Sequence, residues 1–438
     1  MKLPEKPINW KTFLDKDKKN IFFVFRKKEI LKEITEYNKR YLYWSELKHR
    51  IKPEANRKPI WVIMKLLRSE RYEIIPFKSI KMKYSTLSEF NKKLHEFDKY
   101  LAGNIETQTK TLGLQKKYII STLMEEAIAS STIEGAATTR KVAKTMLRER
   151  RKPKTKSEKM IANNYETMQF ILTQKNKKLT PELLLEIQKR ITKGTLEDPK
   201  DEGRFRDNNE IIVGHNTNPN IILHTPPEYK KIPKFIEEFC KFANEDSKEF
   251  IHPIFKGIVL HFLLCYIHPF NDGNGRTARS IFYWYMLSKG YWLFEYMAVS
   301  KRIVRSRKNY DLAYLYTEYD EMDITYFFKY IIDCIADSLK DMRIYIKRKQ
   351  INQEKTKEFI YKHSDINLRQ AMILEEFTKN PNKIYTIREI IETYRVVYQT
   401  ARTDLLLLTK KGFVNKKIFG NTFVFVFNEE YKNKLKVS

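Results

Sequence analysis

The sequence predicts a mainly α-helical protein, and three observations carry that expectation. Stretches of helical composition and length recur along the chain, the clearest at residues 118–129, 257–267 and 277–287. β-prone runs are confined to two short pairs, 211–215 with 221–227 and 413–418 with 422–427. A charged, glycine-free segment at 340–357 reads as a helical connector. With 438 residues and 42% hydrophobic composition, two or three domains are expected, each able to bury its own core.

In chain order, the first hundred residues read as helices packed against the rest. They contain Tyr41-Leu42-Tyr43-Trp44-Ser45-Glu46-Leu47, with breaks expected at Lys52-Pro53 and Arg57-Lys58-Pro59. The helix at 118–129 leads into Ser130-Ser131-Thr132-Ile133-Glu134-Gly135, where Gly135 has the place of a residue just past a helix end. Glu134 therefore falls where the helix dipole disfavours a carboxylate, at a cost of about 0.3–1 kcal/mol, and it calls for a cationic partner. Gly203-Arg204-Phe205-Arg206 precedes two β-prone runs around an Asn-rich turn, a hairpin that includes Val213 and Gly214. Residues 257–267 are apolar nearly all round, as in a core helix, which should end near Pro269 with His268 at its end. After the connector come an amphipathic run at 368–379, a Pro381-Asn382 turn and helical spacing at 386–393 and 397–411. A strand pair then turns at Gly420-Asn421.

The chemistry concentrates in His268-Pro269-Phe270-Asn271-Asp272-Gly273-Asn274-Gly275-Arg276-Thr277-Ala278-Arg279. The run from Asp272 to Gly275 lets the backbone take conformations closed to residues with a Cβ and aim successive N–H groups at one point, a nest for an anion. The helix expected from Thr277 adds free N–H donors and a positive dipole end. Arg276 and Arg279, three apart, can reach neighbouring phosphoryl groups from one face. Asp272 offers the hard oxygen that Mg²⁺ prefers, and His268 can take a proton from an incoming hydroxyl. Only 12 of the residues are glycine, so two of them around one asparagine stand out from background.

This stretch resembles the signature of the Fic domain family, His-x-Phe-x-Asp/Glu-Gly-Asn-Gly-Arg-x-x-Arg, with every fixed position met. The resemblance implies a Fic-type helical core with a β-hairpin flap over residues 115–345, flanked by an amino-terminal helical region at 1–114. It implies that His268 is the general base, that Asp272 holds Mg²⁺ on ATP, and that Gly273, Asn274 and Gly275 form the anion hole. Arg276 and Arg279 would grip the β and γ phosphates, with Phe270 as an apolar peg. Val213 and Gly214 of the flap and Tyr310 near the adenine complete the implied nucleotide contacts. The flap would clamp a target protein by strand pairing. The implied reaction transfers AMP from ATP to a Ser, Thr or Tyr hydroxyl of a target or of the chain itself. Ser130 and Glu134 match the family's inhibitory helix motif, which implies that Glu134 pairs with Arg279 and holds the enzyme in check. Two other readings stay open: removal of AMP as well as transfer, and a nucleotide-sensing regulator that binds DNA.

The segment 346–438, three short helices and a β-ribbon, resembles a winged helix-turn-helix. Tyr398, Gln399, Thr400, Arg402 and Thr403 would begin its recognition helix, with Lys416 and Lys417 on the wing and DNA or a protein as partner. Cys240, Cys265 and Cys334 have no paired spacing and read as reduced packing residues, which fits a cytoplasmic protein and gives no metal site. No apolar run nears 18 residues, so no membrane partner is expected. The net charge of +30 is spread along the whole chain and is a weak clue to a polyanion partner. The assembly state, monomer or homodimer, stays open.

Overall fold

The structure is a computed structural model that describes residues 3–102, 112–215, 218–362, 365–380, 383–419, 422–428 and 430. The protein is mainly helical, and its buried apolar residues form three clusters. The first cluster, spanning Trp10 to Met64 and Tyr326, is built by α1 (Trp10–Lys16), α2 (Lys18–Phe25), α3 (Lys28–Lys39), α4 (Trp44–Leu47) and α5 (Arg57–Ser69). The expected break at Arg57-Lys58-Pro59 is instead the start of α5. Proline in a first turn lacks only an N–H that has no helical partner there.

The large central cluster runs from Ile75 to Met342. It takes in the short hairpin β1 (Glu73–Ile74) and β2 (Lys83–Tyr84) and α6 (Ser88–Phe97), so residues 75–101 pack with the centre rather than with the helices before them. Then come α7 (Leu112–Ile133), α8 (Arg140–Glu149), α9 (Lys156–Gln174) and α10 (Pro181–Thr192), the last started by a Thr180 cap with Pro181 behind it. The hairpin β3 (Val213–His215) and β4 (Asn218–His224) is antiparallel, with irregular register between Val213 and His215. Four helices follow: α11 (Ile232–Asn244), α12 (Pro253–Ile267), α13 (Asn274–Ser288) and α14 (Ser300–Arg305). α12 and α13 pack along each other, and both are buried on nearly every side, as helices without a polar face must be. α15 (Arg307–Tyr319) and α16 (Thr325–Lys362) complete the centre. α16 is 38 residues long and passes through the boundary expected at 345/346.

The third cluster comprises α17 (Leu368–Lys379), α18 (Ile387–Tyr394), α19 (Tyr398–Lys410) and the antiparallel sheet of β5 (Tyr385–Thr386), β6 (Val414–Phe419) and β7 (Thr422–Phe427), in the order β5-β7-β6. α17 begins with a reciprocal cap between Asn367 and Gln370. The turns expected at Pro381-Asn382 and Gly420-Asn421 lie outside the described residues. α18 rests against α7 and α8, with Arg150 Nε 2.9 Å from Glu392 Oε1.

Candidate nucleotide site

α12 ends at His268, which takes the left-handed conformation (φ 50°) and returns its N–H to the Leu264 carbonyl at 3.0 Å. This conformation is uncommon for a residue with a Cβ, and it turns the chain out of the core at the imidazole. His268 Nδ1 lies 3.1 Å from the Cys265 carbonyl, so the proton sits on Nδ1 and Nε2 keeps its lone pair. Burial pulls the imidazole down to about 4, so it is neutral at physiological pH.

Arg206, which the sequence reading passed over as a neighbour of the hairpin, is 3% exposed and ties the loop in place. Its Nε donates to the His268 carbonyl at 2.9 Å, and its backbone N–H donates to the Pro269 carbonyl at 2.9 Å. The other guanidinium nitrogens donate to the Asn208 carbonyl at 2.7 Å and to the Pro227 carbonyl. One buried cation thus joins both ends of the flap to the His268 turn. Phe270, fully buried, stacks on Phe205 with ring centres 5.4 Å apart. A sequence signal existed, since Phe205 and Arg206 follow directly on Gly203-Arg204, but nothing local says that a guanidinium will be spent on carbonyl oxygens.

α13 begins at Asn274, three residues earlier than expected, which changes the reading of Gly273, Asn274 and Gly275. Only Gly273 has a positive φ (84°), and a Cβ there would also stand 2.7 Å from Thr192 Cγ2. Asn274 faces inward: its Oδ1 accepts from Phe270 N at 3.0 Å and its Nδ2 donates to the Phe270 carbonyl at 2.7 Å. Its side chain staples the loop. Gly275 is helical, and its use lies in the missing side chain: a Cβ would collide with Glu134 Oε1 and come within 3.1 Å of Arg279 Nη1. Buried Gln188 braces the turn, donating to the Asp272 carbonyl at 3.1 Å and accepting from Gly203 N at 2.6 Å.

The two arginines differ. Arg276 is buried, donates to the Ile191 carbonyl at 3.3 Å, and lies 3.4 Å from Asp272 Oδ1, whose side chain is 55% exposed. Arg279 is gripped by the end of α7. Its Nε donates to Ser130 Oγ at 2.8 Å, and its Nη2 donates to the Ser130 carbonyl at 2.9 Å and to Glu134 Oε1 at 2.8 Å. Glu134 follows the last residue of α7, with Gly135 at φ 90° beyond it, and Arg279 is the cation its position calls for. Burial raises the Glu134 carboxyl, but the guanidiniums of Arg279, Arg276 and Arg307 outweigh this and hold it below the ordinary glutamate value. Arg307 also donates to the Ile133 carbonyl, which fastens the helix end.

Glu134, Val213, His268, Gly275, Arg279 and Tyr310 line one cleft. Tyr310 is buried, with its hydroxyl 2.9 Å from His261 Nε2. Gly214, next along β3, pairs with Ile222. Asp272 stands at the solvent side of the loop, while Asn274 and Arg276 lie beneath it. Also on the cleft is His224, whose ring lies 2.9 Å from Glu318 Oε2 and 2.7 Å from the Tyr266 carbonyl, anchoring β4 to α12 and α15. Cys265 lines it too, with burial raising its thiol to about 11, so it stays protonated near neutral pH.

Among the buried side-chain donors with no hydrogen-bond partner are two guanidinium nitrogens, Arg276 Nε and Arg279 Nη1. Together with the start of α13 and the side-chain-free face of Gly275, they suit a phosphate. Among the described residues no three His, Cys, Asp or Glu side chains cluster as a metal cage. The exposed Asp272 carboxylate suits a Mg²⁺ ion that draws its remaining ligands from phosphates and water.

Fold and cleft together define a mainly helical protein whose cleft brings the start of α13 beside a neutral histidine. Residues 178–286, which hold the flap, the His268 loop and most of α13, match the model of the Fic/DOC family, and the chain carries a Fic/DOC domain. It is 25% identical over 194 residues to the protein adenylyltransferase Fic of Nematostella vectensis, covering 44% of this chain and 41% of that protein. To the protein of that name from Culex quinquefasciatus it is 31% identical over 168 residues, 38% of this chain and 30% of the relative. The match thus spans less than half the length of these relatives. Fic-1 from C. elegans superposes with a TM-score of 0.50 at 18% identity, over 74% of this chain and 86% of that structure, a likeness of fold alone.

Proposed function

We propose that this chain is a protein adenylyltransferase. It would move AMP from Mg·ATP to a Ser, Thr or Tyr hydroxyl of a protein laid along the β3–β4 hairpin, and Glu134 would hold it in check. The observation that carries this reading is the grip on Arg279: the Glu134 carboxylate occupies the open face of Gly275 that a phosphate would need. With Glu134 withdrawn, Arg279 would lose its opposing charge and turn its unpartnered Nη1 to the terminal phosphate while Ser130 still holds its Nε, and the N–H groups at the start of α13 would receive the phosphate before it. His268 Nε2 takes the proton of the target hydroxyl as its oxygen bonds to the α-phosphorus. The bond to the bridging oxygen breaks and pyrophosphate leaves. Asp272 would hold Mg²⁺, which neutralises phosphate charge when bound.

The test is labelling of cell-lysate proteins with α- or γ-labelled ATP and Mg²⁺. It compares wild-type protein, Glu134→Gly, and Glu134→Gly with His268→Ala. Label from the α position alone, strongest in the single variant and lost in the double, is the expected result. Label from γ alone would replace AMP transfer with phosphoryl transfer, and equal labelling by wild type and Glu134→Gly would remove Glu134 as the inhibitor. One observation favours a second activity: Glu134, held ionised, shares the cleft with His268, so it could orient water for removal of AMP. Release of AMP from labelled protein by wild type, but not by Glu134→Gly, would establish it. The carboxyl-terminal segment, read as a winged helix, would take DNA or a protein partner; its α18 packs against α7, the helix that ends next to Glu134.

A further inference from the structure

Far from the cleft, residues 16–28 read Lys-Asp-Lys-Lys-Asn-Ile-Phe-Phe-Val-Phe-Arg-Lys-Lys. In α2 the inward positions are Ile21 and Val24, both buried against the neighbouring helices. That satisfies the core and leaves Phe22 and Phe23 each 61% exposed and Phe25 40% exposed. Large aromatic rings grouped in this way on one turn of a helix mark a contact surface rather than scattered surface apolarity. Lys16, Lys18 and Lys19 precede them and Arg26, Lys27 and Lys28 follow, all exposed; the anions beside them include Asp17 and, 3.7 Å from Lys18, Asp15, so the cations remain in clear excess. Two of the cations lean over the rings, Arg26 at 5.5 Å from the Phe22 centre and Lys27 at 4.5 Å from that of Phe23.

We propose that this face of α2 docks on an anionic lipid surface, the three phenylalanines entering the boundary between headgroups and acyl chains while the flanking cations meet lipid phosphates and carboxylates. Charge complementarity selects this occupant. A second copy of the chain would set the same cluster of cations against itself across a two-fold axis. A protein interface core is depleted in lysine, the commonest residue here. Single-stranded nucleic acid takes aromatics spaced along a groove that tracks its backbone, whereas these rings stand together on one protruding turn. Apolar rings on one side of a short helix with lysine and arginine around them are what an interfacial helix presents to a bilayer. The contact is peripheral, since no described helix is long and apolar enough to cross a membrane. It is independent of the catalytic reading.

The experiment is co-sedimentation of the full-length protein with phosphatidylcholine vesicles, with and without phosphatidylserine, at near-physiological salt. The net charge of +30 draws the protein to any polyanion. The deciding variant is therefore Phe22→Ala with Phe23→Ala and Phe25→Ala, which leaves that charge unchanged. Expected are binding that requires phosphatidylserine and a drop of about tenfold or more in partitioning for the phenylalanine variant. Lys18→Glu with Lys19→Glu, which keeps the rings, should weaken binding as well, and a thermal melt checks that both variants fold. Equal binding by wild type and the phenylalanine variant would show a general polycation and overturn the proposal. So would a wild type that ignores the vesicles, whether or not it binds single-stranded RNA through the same rings.

Discussion

Residues 268–279 and residues 130–135 face each other across one cleft and are held in opposite ways. The first segment is fixed by short-range bonds, Asn274 to Phe270 and His268 to Leu264, with Arg206 and Gln188 bracing it from behind. The second reaches the site through side chains that meet a residue 145 positions away, Glu134 on Arg279. The Glu134 side chain is 30% exposed, whereas that of Arg279 is 4% exposed. One segment is built to stay, and the other can be displaced by anything that offers Arg279 a better anion. A hydrogen bond to a charged group contributes about 1.5–3 kcal/mol, which a triphosphate with its metal ion could match.

The sharpest way to test the fixed side is to remove its base. In a Glu134→Gly background, His268→Ala should lower AMP transfer by roughly 10²- to 10⁴-fold, read as label from α-labelled ATP. The pH profile sharpens the same point. Burial depresses His268 to about 4, so the imidazole stays neutral, and able to accept a proton, until the pH falls toward that value. kcat/KM should therefore hold through pH 6.5, where an ordinary histidine would already be half protonated, and fall only toward pH 4. An acid limb centred near 6.5 would mean that His268 is solvated in the working enzyme.

On the displaceable side, Glu134→Gly should raise transfer by about ten- to a hundredfold, the equivalent of losing one charged contact. Between the two regions stands Arg206. Arg206→Ala in the Glu134→Gly background should cut kcat by about tenfold while the KM for ATP barely moves, because its bonds run to the flap and the His268 carbonyl. Steady-state kinetics decide it, with a thermal melt to show that the variant is folded. A matching rise in KM would place Arg206 in nucleotide binding instead.

The same contrast explains what the sequence revealed. Elements specified by local pattern were legible: α17 occupies Leu368–Lys379 as expected, and β7 runs Thr422–Phe427 as expected. The end of α12 at His268 and the glycine after α7 were legible too, because proline and glycine punctuate chains by steric rules alone. α13 was placed three residues late because Asn274 and Gly275 are poor helix formers in isolation. Tertiary bonds from Asn274 to Phe270 decide the matter. Arg206 was missed for a related reason, since its carbonyl partners at Asn208, Pro227 and His268 converge only after the flap has closed on α12.

The smallest effect tests whether the grip on Arg279 is shared. Ser130 holds this guanidinium with its hydroxyl and its carbonyl, while Glu134 adds the opposing charge. Ser130→Ala deletes only the hydroxyl. The carbonyl bond and the ion pair remain, so the inhibited state should loosen by less than the roughly 1.5–3 kcal/mol of a hydrogen bond to a charged group. AMP transfer should then rise by about two- to tenfold, below the rise from Glu134→Gly. A double-mutant cycle separates the contributions, because with Glu134 already glycine the Ser130 change should add little if both act on the same closed state. Full additivity would instead mean that Ser130 restrains Arg279 even without Glu134, whereas a fall in transfer in the Glu134→Gly background would mean that it steadies Arg279 in the open enzyme. In the case of a fall, the serine would serve the arrangement of the phosphate site and not only its closure.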